Sequence, residues 1–297
     1  MHELADYESM ATVLGSNADY RVLKRLKPRN IINEPDSSST RLGIFLDLET
    51  TGLDPTVDEI IEFAMVPFSY SLDGKIFEIR EPLQGLREPG VPLSEEITSL
   101  TGITSEMLRG QSIDPAAVEA FIEPASVIIA HNAGFDRKFA ERFTRAFESK
   151  PWACSMTQIP WQAEGLEGTK LAYLVGQYGL FYDAHRATDD CHAGIELLSR
   201  PLPKSGVLAF ARLLETARET TCRIWAENSP YESKDVLKAR GYRWNGEARG
   251  KPRSWYLDLP EPRVAEELAY LREQIFRRDV AVPVTRITAS ERFSDRC

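Results

Sequence analysis

Residues 43–52, with the sequence GIFLDLETTG, restrict the fold of this chain more than any other segment. Their apolar start predicts a buried strand, and residues two apart on a strand point to the same face of a sheet. Asp47 and Glu49 should therefore project two carboxylates together from a hydrophobic strand. Burying two like charges side by side is costly unless a cation compensates them, and carboxylate oxygens suit Mg²⁺ or Mn²⁺. The segment thus predicts a divalent-metal site, although a D-x-E pair by itself also fits an ordinary strand surface.

Two other polar segments stand at the start of predicted helices. HNAGFD (131–136) directly follows the apolar run SVIIA (126–130), and HRATDD (185–190) leads into a helix predicted over 187–200. Sites in open α/β sheets gather beyond the carboxyl ends of strands, which makes Asp136 a candidate site residue. Each segment alone has a structural explanation, because acids in the first turn of a helix interact favourably with its dipole. The combination with the D-x-E pair is what points to one shared site.

Together, the three motifs resemble those of the DEDD family of 3′→5′ exonucleases, which includes the epsilon proofreading subunit of bacterial DNA polymerase III. That family carries D-x-E-T-T-G on a strand, H-N-x-x-F-D between a strand and a helix, and H-x-x-x-x-D before a helix. Here the motifs stand as DLETTG, HNAGFD and HRATDD, in the same order, and the resemblance covers roughly residues 43–200.

The spacing of the third motif indicates the subclass. His185 with Asp190 five residues later fits the histidine form of the family (DEDDh). The tyrosine form has Y-x-x-x-D, whereas Tyr182 is followed four residues later by Arg186. The same spacing selects Asp190 over Asp189 as the site residue.

The resemblance implies a two-metal hydrolysis of phosphodiester bonds from a 3′ end, with 5′ mononucleotides as products. Asp47 would bridge two Mg²⁺ or Mn²⁺ ions, and Asp136 would hold the ion beside the leaving 3′ oxygen. Glu49 and Asp190 would hold the ion beside the nucleophilic water. His185 would accept the proton of that water, a role that suits histidine near neutral pH.

The resemblance also suggests contacts to the terminal nucleotide. The candidates are Thr50, Thr51, Gly52, Ile103, His131 and Asn132. Ile103 would pack on the terminal base, but ordinary core packing explains it equally well. His131 and Asn132 are better explained as residues that hold the loop before Asp136.

The implied fold is an RNase H-like α/β fold with a mixed five-stranded sheet flanked by helices. The residue patterns agree, since strands are predicted at 43–49, 59–72 and 75–83 and helices alternate with strands afterwards. A short helix is predicted within 20–26, and a helix with phenylalanines along one face is predicted over 134–149. We expect five segments: an N-terminal extension and linker (1–42), the exonuclease domain (43–204), a connecting helix (205–220), a small α+β module (221–280) and a mobile tail (281–297).

The small module is rich in basic and aromatic residues. Residues 231–256 contain seven basic groups, three acidic groups and interleaved tyrosines and tryptophans, a composition that suits single-stranded nucleic acid. The candidate contacts are Lys234, Lys238, Arg243, Trp244, Arg253 and Trp255. Alternatively, Trp244 and Trp255 form a cross-strand pair that builds a small core.

Charge and composition limit the remaining possibilities. The net charge is −9, but residues 1–204 carry 19 basic and 31 acidic groups while residues 205–297 carry 17 and 14. A metal site needs clustered carboxylates, so this charge counts only mildly against a polyanionic substrate. Four cysteines without C-x-x-C spacing predict neither a zinc site nor a disulfide framework. The acidic start and the lack of a long apolar run predict no signal peptide, no membrane association and a cytoplasmic location.

The expected partners are nucleic-acid 3′ ends, preferably single-stranded. A DNA polymerase or a sliding clamp would associate in trans, and residues 177–181, QYGLF, resemble the Q-x-x-L-F clamp-binding peptide, although their place in the domain favours internal packing. An exoribonuclease of the RNase T or oligoribonuclease type remains an alternative to a DNA exonuclease in repair or proofreading, because the chemistry does not depend on the sugar. A catalytically silent nucleic-acid-binding protein would lack at least one of the five active-site side chains, and all five are present.

Overall fold

The strand that carries the two acids is the central strand of a mixed sheet in the computed structural model, which describes residues 6–246 and 252–296. The chain divides into two units. The N-terminal unit comprises Met1–Thr216 with Phe293–Asp295, and the C-terminal unit comprises Ala217–Arg292 with Arg296–Cys297. Among the described residues, no helix combines the length and apolar character that crossing a membrane requires.

The N-terminal unit alternates strands and helices after a helical N-terminal extension. Its elements are α1 (Tyr7–Gly15), β1 (Lys24–Arg25), β2 (Thr40–Thr50), β3 (Ile60–Ser71), β4 (Ile76–Ile79), β5 (Leu83–Leu86), α2 (Glu95–Thr101), α3 (Ser105–Leu108), α4 (Pro115–Ile122), β6 (Val127–Ala130), α5 (Ala133–Phe143), a 3₁₀ helix (Arg145–Ser149), β7 (Trp152–Cys154), α6 (Leu171–Gln177), β8 (Leu180–Phe181) and α7 (Ala187–Leu198). Helix α8 (Ala209–Arg218) then crosses the division between the units.

The sheet has the strand order β4-β3-β2-β6-β7, and β5 also pairs with β3. Strands β2, β3 and β4 are antiparallel, whereas β6 and β7 run parallel to β2, so the predicted mixed sheet is confirmed. It has six strands and not the predicted five, because β4 and β5 pair separately with β3. One face of β2 contributes Ile44, Leu46 and Leu48 to a hydrophobic cluster that includes residues of α4 and α5. Because side chains alternate along a strand, Phe45, Asp47 and Glu49 lie on the opposite face.

Three predicted elements differ in the structure. The strand predicted at 75–83 is divided into β4 and β5, because Pro82 has no N–H and restricts the residue before it. The helix predicted over 134–149 breaks at Thr144, which is extended and accepts a hydrogen bond from the Ala146 N–H of the following 3₁₀ helix. The short helix predicted within 20–26 is wrong, since Lys24–Arg25 form a parallel strand with Leu180–Phe181.

The C-terminal unit is an antiparallel sheet with helices. Its elements are β9 (Thr221–Ala226), a 3₁₀ helix (Tyr231–Ser233), α9 (Lys234–Ala239), β10 (Arg243–Trp244), β11 (Trp255–Pro260), a 3₁₀ helix (Glu261–Arg263), α10 (Val264–Tyr270), a π-helix (Leu271–Phe276) and β12 (Val284–Ile287). The strand order is β10-β11-β9-β12. Apolar residues of β9, β11 and the helices form its core, including Ile224, Leu237 and Leu271. This is an α+β arrangement, as the strand and helix patterns predicted.

The expectation of a mobile tail over 281–297 is wrong for two stretches of it. Val284–Ile287 form β12, which pairs with β9. Farther on, Ser294 donates its hydroxyl to Glu141 at 2.6 Å, and Asp295 forms an ion pair with Lys138 at 2.9 Å, both within the N-terminal unit. Backbone pairing and charge complementarity thus order residues whose composition alone suggested a tail.

Candidate active site

Three of the predicted acids form a compact group. One carboxylate oxygen from each of Asp47, Glu49 and Asp190 lies within 4.8 Å of the other two. Asp47 and Glu49 project from the end of β2, where a register shift between Glu49 and Thr50 ends the regular pairing with β3. Carboxylate oxygens at this separation suit a hard divalent cation.

Asp190 reaches β2 because helix α7 crosses the sheet at very short range. Gly194 lies four residues after Asp190, on the same side of the helix. A Cβ atom at Gly194 would stand 2.1 Å from the ring of Phe45, which is two residues before Asp47 on β2. A glycine is therefore required where the helix and the strand meet, and it sets the distance at which Asp190 joins the acids of β2.

Asp136 stands beside the compact group on a different element. It lies in the first turn of α5, which begins after Asn132, and its side chain is buried. Burial raises the pKa of Asp136 well above its usual range, while hydrogen bonds from its own backbone N–H and that of Leu48 act in the opposite direction. Its charge in turn raises the pKa of Asp47, so the two carboxylates lie within electrostatic range of each other.

The local electrostatics favour a cation. Burial raises the pKa of Asp47 well above its usual range, and the charges of Asp136, Asp190 and Glu49 add to this effect. Burial, followed by the charges of Asp190 and Glu62, raises the pKa of Glu49 to about 8. Without a cation the group would therefore retain protons near neutral pH. A bound divalent ion removes that penalty, so the donor set fits divalent-metal dependence.

His185 stands next to Asp190 in space as well as in sequence. The backbone N–H groups of His185 and Arg186 donate to Asp190 Oδ2 at 2.8 and 3.2 Å. His185 has the left-handed φ of 67°, which is uncommon for a residue other than glycine. Its side chain is exposed, so a substrate or a water molecule can reach the imidazole.

Two residues near the site were missed by the sequence analysis. Glu62 of β3 is buried and accepts hydrogen bonds from the Arg186 guanidinium at 3.0 Å and from the Ala187 N–H at 3.0 Å. The sequence does indicate Glu62, because it is a single acid inside the apolar run IIEFAMV. The hydroxyl of Tyr182 donates to Asp190 Oδ1 at 2.7 Å. No motif spacing indicates Tyr182, because the contact depends on how the loop before α7 folds.

The loop after β2 is held by Asp58. Its carboxylate accepts the Thr51 hydroxyl at 3.1 Å and the Asp54 N–H at 2.8 Å. A Cβ at Gly52 would stand 2.5 Å from that carboxylate, so a glycine is needed there. The Thr50 hydroxyl donates to the Gly52 carbonyl at 2.6 Å. The loop is therefore rigidly organised beside the acids, which is consistent with a backbone contact to a nucleotide.

The other candidates for nucleotide contact have structural roles here. Ile103 is fully buried in a cluster with Ile61 and Leu108, which favours the core-packing alternative. The ring of His131 lies 2.9 Å from Ser155 Oγ and 2.7 Å from the Thr169 carbonyl. Because a carbonyl only accepts, His131 Nε2 carries the proton, and burial lowers the pKa of the ring to about 4.

Asn132 precedes α5 and belongs to the loop that presents Asp136. Its carbonyl accepts the N–H groups of Phe135 and Asp136 at 2.7 and 3.2 Å. The side chain makes no capping hydrogen bond to the helix. Asn132 thus starts the first turn of α5 through its backbone.

The clamp-like peptide QYGLF is engaged inside the N-terminal unit. Leu180 and Phe181 form β8, and the Lys24 and Leu26 N–H groups donate to the Gly179 and Phe181 carbonyls at 2.9 and 2.8 Å. A docking partner would have to displace β1 to use this backbone. The contacts therefore favour internal packing, as the place of the peptide in the sequence suggested.

In the C-terminal unit, Trp244 and Trp255 are a cross-strand pair with ring centroids 5.7 Å apart. Trp255 packs against the core of the unit, whereas Trp244 is 55% exposed. Arg243 lies over the Tyr256 ring and forms an ion pair with Asp258 at 2.9 Å. Lys238 and Arg253 are exposed and Lys234 is half-buried beside Tyr231. The basic residues Arg249 and Lys251 lie outside the described residues.

Comparisons with known proteins match the segment of the chain that contains this site. The model of a family described as "Exonuclease" (RNase_T) matches residues 44–198. The PolC-type DNA polymerase III of Thermotoga petrophila is 32% identical over 179 residues, a match that covers 58% of this chain and 13% of that protein. The DNA polymerase III subunit epsilon of Aquifex aeolicus is 29% identical over 166 residues, covering 54% of this chain and 79% of the subunit. This chain thus spans a small part of the length of the PolC-type relatives.

A solved structure shares the fold of this chain. The zinc-bound form of the E. coli Exonuclease I complex with single-stranded DNA has a TM-score of 0.51 at 17% identity, and the alignment covers 79% of this chain and 71% of that chain. Exonuclease X in complex with 5′-overhanging duplex DNA is 25% identical with a TM-score of 0.42, covering 58% and 99%. The matched segment 44–198 contains all five predicted active-site residues and slightly more than half of the chain. The protein therefore belongs to the RNase_T family of exonucleases.

Proposed function

We propose that the protein is a metal-dependent 3′→5′ exonuclease that removes 5′ mononucleotides from 3′ ends, preferably of DNA, in repair or proofreading. The observation that carries this proposal is the group of Asp47, Glu49 and Asp190, whose oxygens converge within 4.8 Å in a member of an exonuclease family. Asp136 and His185 lie outside this group of three. The charge of Asp136 acts on Asp47 and the backbone of His185 binds Asp190, and these interactions support including both residues in the proposed site.

Asp47, Glu49, Asp136 and Asp190 would hold two Mg²⁺ or Mn²⁺ ions. When bound, such a pair of ions supplies stabilisation of the attacking and leaving oxygens of an in-line displacement. The protein's own part is to hold carboxylates in place against their mutual repulsion, which Gly194 and the short contact of α7 with β2 accomplish. The raised pKa of Glu49, about 8, means that ion binding must displace protons near neutral pH.

His185 would accept the proton of the attacking water at a ring nitrogen. Its exposure allows proton exchange with solvent, and its backbone N–H bond to Asp190 Oδ2 fixes it beside the carboxylate group. Histidine is the side chain most often used for proton transfer of this kind. Removing the ring should therefore lower turnover more than substrate binding.

DNA is the preferred substrate in this proposal because two of the relatives are DNA polymerase III proteins. The same relationship supports association with a DNA polymerase in trans. A sliding-clamp contact through QYGLF has less support, since β1 already pairs with that peptide. We also propose residues 43–204 as the exonuclease domain and 221–280 as a separate module, for which the division of the chain near Thr216 is the support.

The test is release of mononucleotides from 3′-labelled single-stranded DNA and RNA of the same sequence, with Mg²⁺ or Mn²⁺. Asp190→Asn should abolish release, whereas Asp189→Asn, at the exposed neighbouring acid, should retain it. Faster release from DNA than from RNA would support the DNA preference, and the reverse would favour an exoribonuclease. Folded protein that releases nothing from either substrate would refute the proposed activity.

For the C-terminal unit we propose a role in binding single-stranded nucleic acid. Exposed Trp244, Lys238 and Arg253 support it, together with Arg243, Lys234 and Trp255 as flanking groups. In the full chain with EDTA, Lys238→Ala combined with Arg253→Ala should weaken oligonucleotide binding measured by fluorescence anisotropy. The slope of log affinity against log salt should fall by roughly two, because each phosphate contact contributes about one. Arg145→Ala, an exposed arginine of the N-terminal unit, is the matched control.

A further inference from the structure

The carboxylate of Asp190 is held on both oxygens. Its Oδ2 accepts the backbone N–H groups of His185 and Arg186, and its Oδ1 accepts the hydroxyl of Tyr182 at 2.7 Å. Of these three hydrogen bonds, the one from Tyr182 has a side-chain donor, and the other two have backbone donors. An ionised carboxylate only accepts and a tyrosine is protonated near neutral pH, so Tyr182 is the donor.

The segment that carries Tyr182 is fixed on both sides by the N-terminal extension. Before it, the Leu26 N–H donates to the Phe181 carbonyl at 2.8 Å. After it, Asp183 forms an ion pair with Arg25 at 2.8 Å, and the Arg25 guanidinium lies 4.9 Å from the centre of the Phe181 ring. These contacts hold the chain on either side of Tyr182, and the hydrogen bond to Asp190 Oδ1 then holds its side chain. Strand β1 of the N-terminal extension thus stabilises the loop that carries Tyr182 to the acidic group.

Asp190 needs such a restraint. Its oxygen lies within 4.8 Å of oxygens of Asp47 and Glu49, and like charges at this range repel one another. A carboxylate free to rotate would turn its oxygens away from them and toward solvent. A hydrogen bond to Oδ1, opposite the backbone bonds to Oδ2, selects one rotation of the group.

We infer that Tyr182 is a positioning residue that orients Asp190 for metal binding. The inference rests on the proposed function in one respect, that the acidic group binds a divalent cation. Outer partners of metal-binding carboxylates typically contribute about 10- to 100-fold to metal affinity or activity. Tyr182 touches Asp190, not the reacting atoms, so its effect should pass entirely through that carboxylate.

The experiment measures Mn²⁺ binding by isothermal titration calorimetry in the full chain. Tyr182→Phe removes the hydroxyl alone and should raise the Mn²⁺ dissociation constant by about 10-fold. Tyr178→Phe is the matched control, because its hydroxyl donates to the Pro201 carbonyl at 2.9 Å and should leave the constant within about twofold. At limiting Mn²⁺, kcat of Tyr182→Phe should fall with KM for the oligonucleotide unchanged, and added Mn²⁺ should restore it.

A double-mutant cycle separates positioning from a general loss of structure. In Asp190→Asn, the further change Tyr182→Phe should leave the remaining Mn²⁺ affinity unchanged, because the residue that Tyr182 orients has lost its charge. An equal loss of affinity in both backgrounds would overturn the inference, as would wild-type Mn²⁺ affinity in Tyr182→Phe. Wild-type protein that binds no Mn²⁺ would overturn it as well. A third outcome separates the two proposals. If the wild-type protein binds Mn²⁺ but releases no nucleotides, and Tyr182→Phe weakens Mn²⁺ binding, the exonuclease proposal is refuted and the positioning role of Tyr182 is supported.

Discussion

Glu62 and Arg186 form an ion pair at 3.0 Å that joins strand β3 to the start of helix α7. Glu62 is also the partner of Glu49 in the pairing of β2 with β3. The guanidinium of Arg186 therefore lies beside the acidic group. The charge of Arg186 lowers the pKa of Glu49, against the larger raising effect of burial. The pair therefore both fixes the segment that carries His185 and limits the negative charge next to the metal-binding acids.

We expect Arg186→Ala to leave Glu62 buried without its cation. Removing one partner of a buried pair costs about 3–5 kcal/mol, and since Arg186 is 43% exposed we expect about 2 kcal/mol in the free energy of unfolding. Urea denaturation measures this change. Arg145→Ala, whose arginine is 88% exposed, should cost less than about 1 kcal/mol. Equal losses in the free energy of unfolding for the two substitutions would show that the ion pair with Glu62 stabilises the fold no more than an exposed pair does.

Gly194→Ala should separate α7 from β2. The added methyl would overlap the Phe45 ring, so the helix must shift, at a cost of about 1–3 kcal/mol for an overpacked core. A displacement of Asp190 by about 1 Å can lower the rate by about 100-fold. Nucleotide release measures the loss. Gly176→Ala, in α6, is the control, because its nearest neighbour is the end of the Arg21 side chain at 4.0 Å. Full activity in Gly194→Ala would contradict the close-approach argument.

The stability of the metal-free protein should decrease as pH rises between about 4.5 and about 8. The pKa of Glu49 rises from 4.5 to about 8 on folding, because of burial first and then the charges of Asp190 and Glu62. A raised pKa favours the folded protein fully below the unfolded value, and this contribution is lost as pH approaches the folded value. Thermal unfolding in EDTA measures it. Glu49→Gln should reduce the slope, and a wild-type stability that increases through this range would contradict the assignment.

Divalent ions should reverse that loss. An ion that binds the folded protein at 100 times its dissociation constant stabilises it by about 2.7 kcal/mol. Because binding displaces protons, the gain in unfolding temperature with Mn²⁺ should grow as pH rises toward 8, the folded pKa of Glu49. Asp190→Asn should show a smaller gain. An ion-independent unfolding temperature at pH 8 would argue against a metal site.

Ile103→Val should affect stability and leave substrate binding unchanged. Ile103 is fully buried with Ile61 and Leu108, so the loss of one methylene should cost about 1 kcal/mol. Urea denaturation measures that cost, and KM for a single-stranded oligonucleotide should stay at the wild-type value. A raised KM with unchanged stability would restore the alternative in which Ile103 packs on the terminal base.

Several features followed from the sequence because they depend on local chemistry. The alternation of side chains on an apolar strand places Asp47 and Glu49 on one face whatever surrounds them. Asp114, next to Pro115, caps α4 as its residue types predict, accepting the Ala116 N–H at 3.0 Å. The order of motifs indicated the family before any distance was known.

Other features depended on contacts between segments far apart in the chain. Thr144 ends a helix whose phenylalanine spacing would have continued it, and Lys24–Arg25 form a strand because Leu180–Phe181 lie alongside. Such outcomes depend on tertiary packing and hydrogen bonding, which override weak local preference.

The sequence by itself determined which acids face one another on β2 and which motifs accompany them. Tertiary structure alone decided the distance from Asp190 to those acids, the burial that raises the pKa of Asp47, and the roles of Glu62 and Tyr182. The physical reason is range. Strand alternation acts over two residues, whereas desolvation of the acids and close packing at Gly194 arise only once α7 lies against the sheet. The Tyr182 bond to Asp190 forms only once the loop before α7 has folded.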